Sequence, residues 1–142
     1  MREWVDHTVD RIRALQPWKV LEIGCGTGLL LFRIAPDCSR YVGTDFSRSA
    51  LDYIRSVSSD SQQKLPQVTL LHRLADDFAD FERESFDTVI LNSVVQYFPD
   101  VTYLVRVLEG AVKLVEPGGY IFVGDVRNLA LHRLFHVVAE FY

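Results

Sequence analysis

The sequence has few of the residues that mark secreted, membrane-spanning or nucleic-acid-binding proteins. Its 142 residues include two cysteines, Cys25 and Cys38, and no CxxC pair, so a disulfide framework is not expected. No apolar run approaches the ~18 residues of a membrane span, and the N-terminus lacks a signal-peptide core. The net charge is −4 and the arginines are scattered, which argues against a nucleic-acid surface. We therefore expect a cytoplasmic protein that binds neither membranes nor nucleic acid.

Hydrophobic residues make up 49% of the chain, which is enough for one globular domain with a sizeable core. Short apolar runs predict five strands, at 18–23, 40–45, 67–71, 86–92 and 120–125. Helical spacing or helix caps predict helices at 3–15, at 28–35, after Ser47, after Asp100 and at 129–141. Glu116–Gly119 is predicted to form a turn before the fifth strand.

Strands that alternate with helices are typical of an α/β fold with a mainly parallel sheet and right-handed crossovers. We expect a Rossmann-like sheet in the order 3-2-1-4-5, with helices on both faces. The helix after Asp100 is expected to bury an apolar stripe, formed by Val101, Leu104, Val105, Leu108, Val112 and Val115. The polar residues that suggest function all fall where strands end, which is where such sheets bind ligands.

The stretch KVLEIGCGTGLLL, Lys19–Leu31, places three glycines at alternate positions after an apolar strand. Glycine permits positive φ and lets the backbone approach a ligand closely, so the loop predicts a nucleotide site. The dinucleotide pattern G-x-G-x-x-G is not met, because the third glycine, Gly28, comes one residue early. Cys25 inside the loop is interpreted as a small filler and not as a nucleophile.

Two acids narrow the nucleotide that the loop would hold. Glu22 stands two residues before Gly24, where a carboxylate would repel a pyrophosphate and favour a cation. Asp45 ends the second predicted strand, about 20 residues further on, and can accept hydrogen bonds from two ribose hydroxyls. S-adenosylmethionine has no phosphate and carries an ammonium and a sulfonium, so it suits both acids.

On these residues the chain resembles a known enzyme family. VLEIGCGTG is similar to motif I of class I S-adenosylmethionine-dependent methyltransferases, and VGTDFS is similar to the acidic segment after it. LADDFADF, SFDTVILNSVVQYFPD and GGYIFVGDVRNLALHRLFH resemble the methyltransferase domains embedded in nonribosomal peptide synthetases and hybrid polyketide synthases. The resemblance covers nearly the whole chain. It implies S-adenosylmethionine as cofactor, S-adenosylhomocysteine as product, a carrier-tethered thioester as substrate and neighbouring synthetase domains as partners.

The resemblance also implies which residues meet the cofactor. Glu22 would bind the methionine amino end and Asp45 the ribose. The other expected cofactor-binding residues are Gly24, Cys25, Gly26 and Gly28 in the loop, Phe46, Ala75 and Asp76 around the adenine, and Asn92 and Ser93 beside the methionine. Leu74 occupies the position of the usual adenine-binding acid, so Asp76 or Asp77 has to replace it.

Methyl transfer to an amine needs few catalytic groups, because it is an in-line displacement that depends on positioning an uncharged amine. A polar group that accepts the amine hydrogen would suffice. The predicted catalytic residues are Asn92, Tyr97 and Asp125, with Gln96 as a further candidate. Tyr97 could equally be a core aromatic, and Asp125 could form a loop ion pair with Arg127.

The sequence predicts neither DNA amino-methylation at the strand ends nor metal binding on the last helix. The N/D-P-P-Y/W motif of DNA amino-methyltransferases is absent, because Asn92 is followed by Ser-Val-Val. His132, His136 and Glu140 repeat along one face of the last predicted helix, but they lack the H-E-x-x-H spacing, so no metal site is predicted.

Relatives of this type close the sheet with an antiparallel C-terminal hairpin, and the sequence stops before it. We therefore expect residues 1–142 to be a fragment of a larger synthetase, which binds cofactor but methylates poorly. The free edge of the fifth strand would allow dimerisation.

N-methylation of an aminoacyl thioester is the leading interpretation of the sequence. C-methylation of a polyketide, a free-standing small-molecule methyltransferase, an NAD-dependent oxidoreductase and a catalytically silent binding domain remain alternatives.

Overall fold

The computed structural model describes residues 2–126, and the predicted helix at 129–141 lies outside them. The described elements, in chain order, are α1 (Arg2–Arg13), β1 (Lys19–Ile23), α2 (Leu31–Ile34), β2 (Arg40–Asp45), α3 (Arg48–Asp60), β3 (Val68–His72), β4 (Phe86–Asn92), α4 (Val101–Leu114) and β5 (Val115–Gly124). Short 3₁₀ turns lie at Ala35–Asp37 and Val95–Tyr97. Within this part of the chain, no helix is long and apolar enough to cross a membrane.

The five strands form one parallel sheet in the order β3-β2-β1-β4-β5, which confirms the predicted topology. The chain runs outward from β1 to β3 and then returns to place β4 on the other side of β1. The strand order therefore reverses between β1 and β4, and ligands of such sheets bind at this crevice, beyond the carboxyl ends of the strands.

Apolar side chains cover both faces of the sheet. The strands are therefore continuous hydrophobic runs, without the alternation of apolar and polar residues that is typical of a half-exposed sheet. One core contains Val9 and Ile12 of α1, Leu31 of α2 and Ile54 of α3, packed on β1, β2 and β4. The other core contains Val107 and Ala111 of α4 on the opposite face. The predicted N-caps are present, since the Ser47 and Asp100 side chains accept hydrogen bonds from the N–H groups of Ala50 and Tyr103.

The helix predicted at 28–35 is much shorter than expected. Gly28 has a φ of +89°, a left-handed value that a right-handed helix cannot include, so α2 begins only at Leu31. Pro36 has no N–H to donate, and the chain tightens into a 3₁₀ turn from Ala35. The glycine loop is therefore followed by a single helical turn.

The buried face of α4 also differs from the prediction. The structure buries Leu104, Val107, Ala111 and Leu114 and half-buries the predicted Leu108 and Val115, whereas Val101, Val105 and Val112 are exposed. Gly110 lets the helix approach the ring of Phe78 closely, because a Cβ there would collide with it. That ring packs in the α4 core, and its contact with the helix is not visible in the helical periodicity.

The predicted turn at Glu116–Gly119 is instead an irregular part of β5. Phe86 pairs with Val115 and Thr88 pairs with Tyr120, so Asp87 alone faces four residues of β5. Gly118 has a φ of +82°, and a Cβ on Gly119 would collide with the Asp87 carbonyl oxygen. The two glycines thus permit a bulge within the strand.

Candidate active site

The carboxyl ends of the strands surround a cavity of about 300 Å³. Five of its lining residues were predicted from the sequence, namely Gly24, Asp45, Phe46, Ala75 and Tyr97. Leu74, Val94, Phe98 and Tyr103 complete most of the apolar wall. A cavity of this size, with apolar walls and few polar groups, is of the kind that holds part of a small ligand.

Asp45 joins two of the loops that border this cavity. Its carboxylate accepts one hydrogen bond from the Gly26 N–H and another from the Ser47 N–H, both at 2.8 Å. A carboxylate has about four acceptor positions, so two remain for hydroxyl groups of a ligand. The side chain is buried at the end of β2, where its position is fixed before any ligand arrives.

Glu22 lies beneath the glycine loop and is 3% exposed. The Tyr41 hydroxyl donates a hydrogen bond of 2.5 Å to its Oε2 atom. Burial raises the pKa of Glu22 to about 8, the hydrogen bond from Tyr41 opposes this, and the nearby Asp45 charge adds to it. Near neutral pH the side chain therefore binds a proton, and a cation beside it would favour the ionised form.

The loop itself is built on two backbone contacts. The N–H groups of Gly24 and Cys25 both donate to the Thr44 carbonyl oxygen, at 2.8 and 2.9 Å. Gly24 (φ +75°) has no room for a side chain, because a Cβ there would lie 2.6 Å from Val94 Cγ2. Gly26 (φ +54°) borders open space, with no other atom within 4 Å of its Cβ position. The open side of the loop is therefore at Gly26.

Cys25 is buried within the loop, as a small filler should be. Burial raises the pKa of its thiol, and the charges of Glu22 and Asp45 raise it further. A thiol in this environment is not a nucleophile.

Aromatic rings stand at the mouth of the cavity. Phe46 and Tyr97 are 70% and 77% exposed although both line it, so neither is a core aromatic. Asp76, the predicted adenine-binding acid, is held beside the cavity by the Tyr103 hydroxyl at 3.1 Å and by Arg106 at 3.4 Å. Burial and the contact with Asp76 raise the pKa of Tyr103.

Asn92, Ser93 and Asp125 form a separate polar group at the ends of β4 and β5. Ser93 Oγ donates to Asp125 Oδ2 at 2.6 Å, and Asn92 Nδ2 donates to Ser93 Oγ at 3.3 Å. The structure thus brings together two of the predicted catalytic residues, Asn92 and Asp125. Arg127 lies outside the described residues, so the alternative ion pair stays a prediction.

Several residues of the site were missed by the sequence analysis. Tyr41 and Val94 support the loop, and Tyr103 holds Asp76. Of these residues, only Tyr41 could have been predicted from the strand pairing. Gly43 of β2 pairs with Glu22, and Tyr41 lies two residues before Gly43, so the side chains of Tyr41 and Glu22 lie on the same face of the sheet.

A second, more open cavity of about 490 Å³ lies on the helical side of the glycine loop. It is lined by Gly28, Leu29 and Phe32 together with residues of α1 and α3, including Arg2, Val5 and Tyr53. It does not include any of the acids at the strand ends, so the smaller cavity is the better candidate for the nucleoside.

A family model described as a methyltransferase domain matches residues 21–121. The chain belongs to this methyltransferase family. The match includes the glycine loop, Asp45 and the strand ends that surround the smaller cavity.

The methyltransferase domain is similar to segments of a synthase and of a nonribosomal synthetase. It is 54% identical over 140 residues to chondramide synthase cmdD of Chondromyces crocatus, and 38% identical over 136 residues to the beauvericin nonribosomal cyclodepsipeptide synthetase of Beauveria bassiana. These matches cover 99% and 95% of this chain but only 4% of each relative. The chain therefore corresponds to a small part of these synthetases.

A solved structure of similar fold is the N-methyltransferase NodS of Bradyrhizobium japonicum in complex with S-adenosylhomocysteine. Its TM-score is 0.74 at 21% identity, over 92% of this chain and 66% of NodS. The family match confirms the predicted enzyme class, a methyltransferase, and NodS shares the predicted fold.

Two glycine substitutions should separate the folding role of the loop from its binding role. Gly24→Ala combines left-handed strain with a collision against Val94, and we expect it to lower the free energy of unfolding by at least about 2 kcal/mol. Gly26→Ala introduces left-handed strain of about 1 kcal/mol but no collision, and its methyl group points into the open space beside the loop. It should therefore weaken S-adenosylhomocysteine binding about tenfold or more. Denaturant unfolding and calorimetric titration measure the two effects.

The control for this pair is Gly24→Ala combined with Val94→Ala, which removes the collision and should restore part of the lost stability. Equal stability of the two single variants, or a Gly26→Ala protein that binds like the parent, would contradict the assignment.

The raised pKa of Glu22 predicts a specific dependence of stability on pH. The unfolded state releases the Glu22 proton near pH 4.5, whereas the folded state keeps it up to about pH 8. The contribution of Glu22 to stability therefore falls as the pH rises from 4.5 to about 8. Glu22→Gln cannot titrate. The free energy of unfolding of the parent should therefore fall relative to that of the variant, by up to about 1.4 kcal/mol per pH unit. Urea unfolding of both proteins from pH 5 to 8.5 tests this, and a flat difference would refute it.

Proposed function

We propose that this domain transfers a methyl group to the amino nitrogen of an aminoacyl thioester carried by a peptide synthetase. The observation that carries the proposal is the convergence of Asp45, Gly24 of the glycine loop and two exposed rings on one cavity at the strand ends. The kinship to chondramide and beauvericin synthetases supports a carrier-tethered substrate and neighbouring synthetase domains as partners.

The residues present fit S-adenosylmethionine. Asp45 has acceptor positions for the ribose hydroxyls, and Phe46 can flank the adenine, with Leu74 and Ala75 forming the wall. Glu22 would stabilise the cationic methionine end from below the loop, and the backbone at Gly26 can approach the ligand closely. When bound, the cofactor supplies a methyl group on a positively charged sulfur.

The acceptor is inferred from the groups that surround the cavity. Removal of a proton from carbon requires a base, whereas a neutral amine needs only to be oriented. Among the described residues, no histidine lines the cavity, and its only carboxylate, Asp45, is bound to two backbone N–H groups. These surroundings favour nitrogen over carbon as the methylated atom. Tyr97 and Asn92 are the groups at the cavity and strand end that could orient the amine.

Transfer of an isotope-labelled methyl group tests the proposal. With labelled S-adenosylmethionine and alanyl-pantetheine thioester, we expect label on the alanine nitrogen and none on propionyl-pantetheine, which lacks the amine. Fragmentation in a mass spectrometer locates the label. Asp45→Asn should slow the reaction about tenfold or more at low cofactor concentration, because a charge-assisted hydrogen bond to the ribose is lost.

Asp37→Asn is the matched control, since Asp37 forms a long, exposed ion pair with Arg13 at 3.9 Å and should leave the rate unchanged within about twofold. Label on the α-carbon, or equal labelling of the propionyl thioester, would refute nitrogen as the acceptor.

A further inference from the structure

The polar group at the ends of β4 and β5 has a defined direction. The Ser93 hydroxyl donates its single hydrogen to Asp125 Oδ2 at 2.6 Å. Because that hydrogen is used, Ser93 Oγ can only accept a hydrogen bond from Asn92. The Asn92 side chain therefore turns its NH₂ group, which is the donor, toward Ser93. This order of donors fixes the orientation of the Asn92 amide and turns its Oδ1 atom away from Ser93.

The Oδ1 atom of Asn92 is buried and has no hydrogen-bond partner among residues 2–126. It lies against Gly124, where a Cβ would collide with it, so glycine is required for the amide to occupy this place. A buried acceptor without a partner is unfavourable, and its retention calls for a physical explanation.

The register of the sheet shows which groups share the surroundings of this amide. Glu22 of β1 pairs with Ile90 of β4, and Asn92 follows Ile90 by two residues. Since side chains alternate along a strand, Glu22 and Asn92 lie on the same face at the carboxyl edge of adjacent strands. An acid and an amide oxygen on one face suit a ligand that brings N–H donors.

Backbone strain marks the same place. Ser93 and Asp125 have φ values of +58° and +51°, a left-handed conformation that is unfavourable for residues other than glycine. Ser93 also donates its backbone N–H to the Gly124 carbonyl at 3.1 Å, so the two strained residues tie the ends of β4 and β5 together. Strain of this kind is typical of sites that hold a group in a set position.

We propose that Asp125 and Ser93 are positioning residues, which orient the Asn92 amide so that Oδ1 accepts a hydrogen bond from an amino group. This changes the role of Asp125 from the predicted catalytic residue to one that acts through Ser93. The amino group can come from the methionine end of the cofactor or from the acceptor. The second source rests on the proposed function, and the first does not.

Binding measurements without turnover distinguish the two sources. The first arm compares the affinity for S-adenosylhomocysteine with that for its des-amino analogue. The second arm saturates the protein with S-adenosylhomocysteine and compares alanyl-pantetheine amide with propionyl-pantetheine amide at pH 8.5, where the amine is largely neutral. We expect the amino compound to bind about fivefold or more tightly in one arm.

Ser93→Gly tests the link through the hydroxyl. Glycine removes the hydroxyl and also relieves the left-handed strain, so the unfolding midpoint should stay close to that of the parent. Ser93→Ala removes the hydroxyl and keeps the strain, so it should be the less stable variant. Both should reduce the preference for the amino compound to within about twofold. Ser85→Gly, at the other end of β4, is the matched control and should keep the full preference.

If the Ser93 variants lose the preference for the amino compound in the first arm, the Asn92 amide binds the cofactor. If they lose it in the second arm, the amide binds the acceptor. The proposal is overturned if the parent shows no preference in either arm, if Ser93→Gly keeps the preference, or if the loss follows the stability of the variants. A positive first arm with no methylation of the aminoacyl thioester would refute the proposed function alone.

Discussion

The carboxylate of Asp45 is the constraint on which the arrangement of the site depends. It binds the backbone of Gly26 and of Ser47 at the same time, and so joins the glycine loop to the start of α3. Both loops leave the sheet at the β1–β2 pair, where parallel strands end side by side. A single buried side chain therefore fixes the opening of the loop and one wall of the cavity before a ligand binds.

The electrostatics beneath the loop distinguish it from loops that hold phosphates. Phosphate loops rely on free N–H groups and helix N-termini, but here the N–H groups of Gly24 and Cys25 are bound to Thr44, and α2 is only one turn long. A buried acid, Glu22, lies below instead. A bound cation would favour the ionised form of Glu22, whereas a bound anion would oppose it.

The sequence was sufficient for the strand order and for five of the residues that line the smaller cavity. Buried parallel strands are continuous apolar runs, caps such as Ser47 are local, and each acid directly follows a strand, so these features depend on neighbours in the chain. The close approach of α4 to Phe78 depends on Gly110, and the bulge in β5 depends on Gly119 against Asp87. Contacts between distant residues leave no periodic pattern.

The same limit explains the polar residues at the strand ends. Asn92 and Asp125 were identified because both follow strands, but their separate roles depend on which partner receives the hydrogen of Ser93. Hydrogen-bond direction follows from three-dimensional proximity, and residue type alone does not specify it. Tyr41, which is far from the loop in sequence, modifies the acid Glu22 for the same reason.

Hydrogen–deuterium exchange with and without S-adenosylhomocysteine tests most directly that the cofactor lies at the strand ends. Binding should slow exchange at 24–26, 45–47, 73–76 and 92–97, which line or adjoin the smaller cavity. The larger cavity, lined by Arg2, Leu29 and Tyr53, should show little change at its α1 and α3 walls. Protection confined to those helical walls, with the strand ends unaffected, would contradict the assignment of the site.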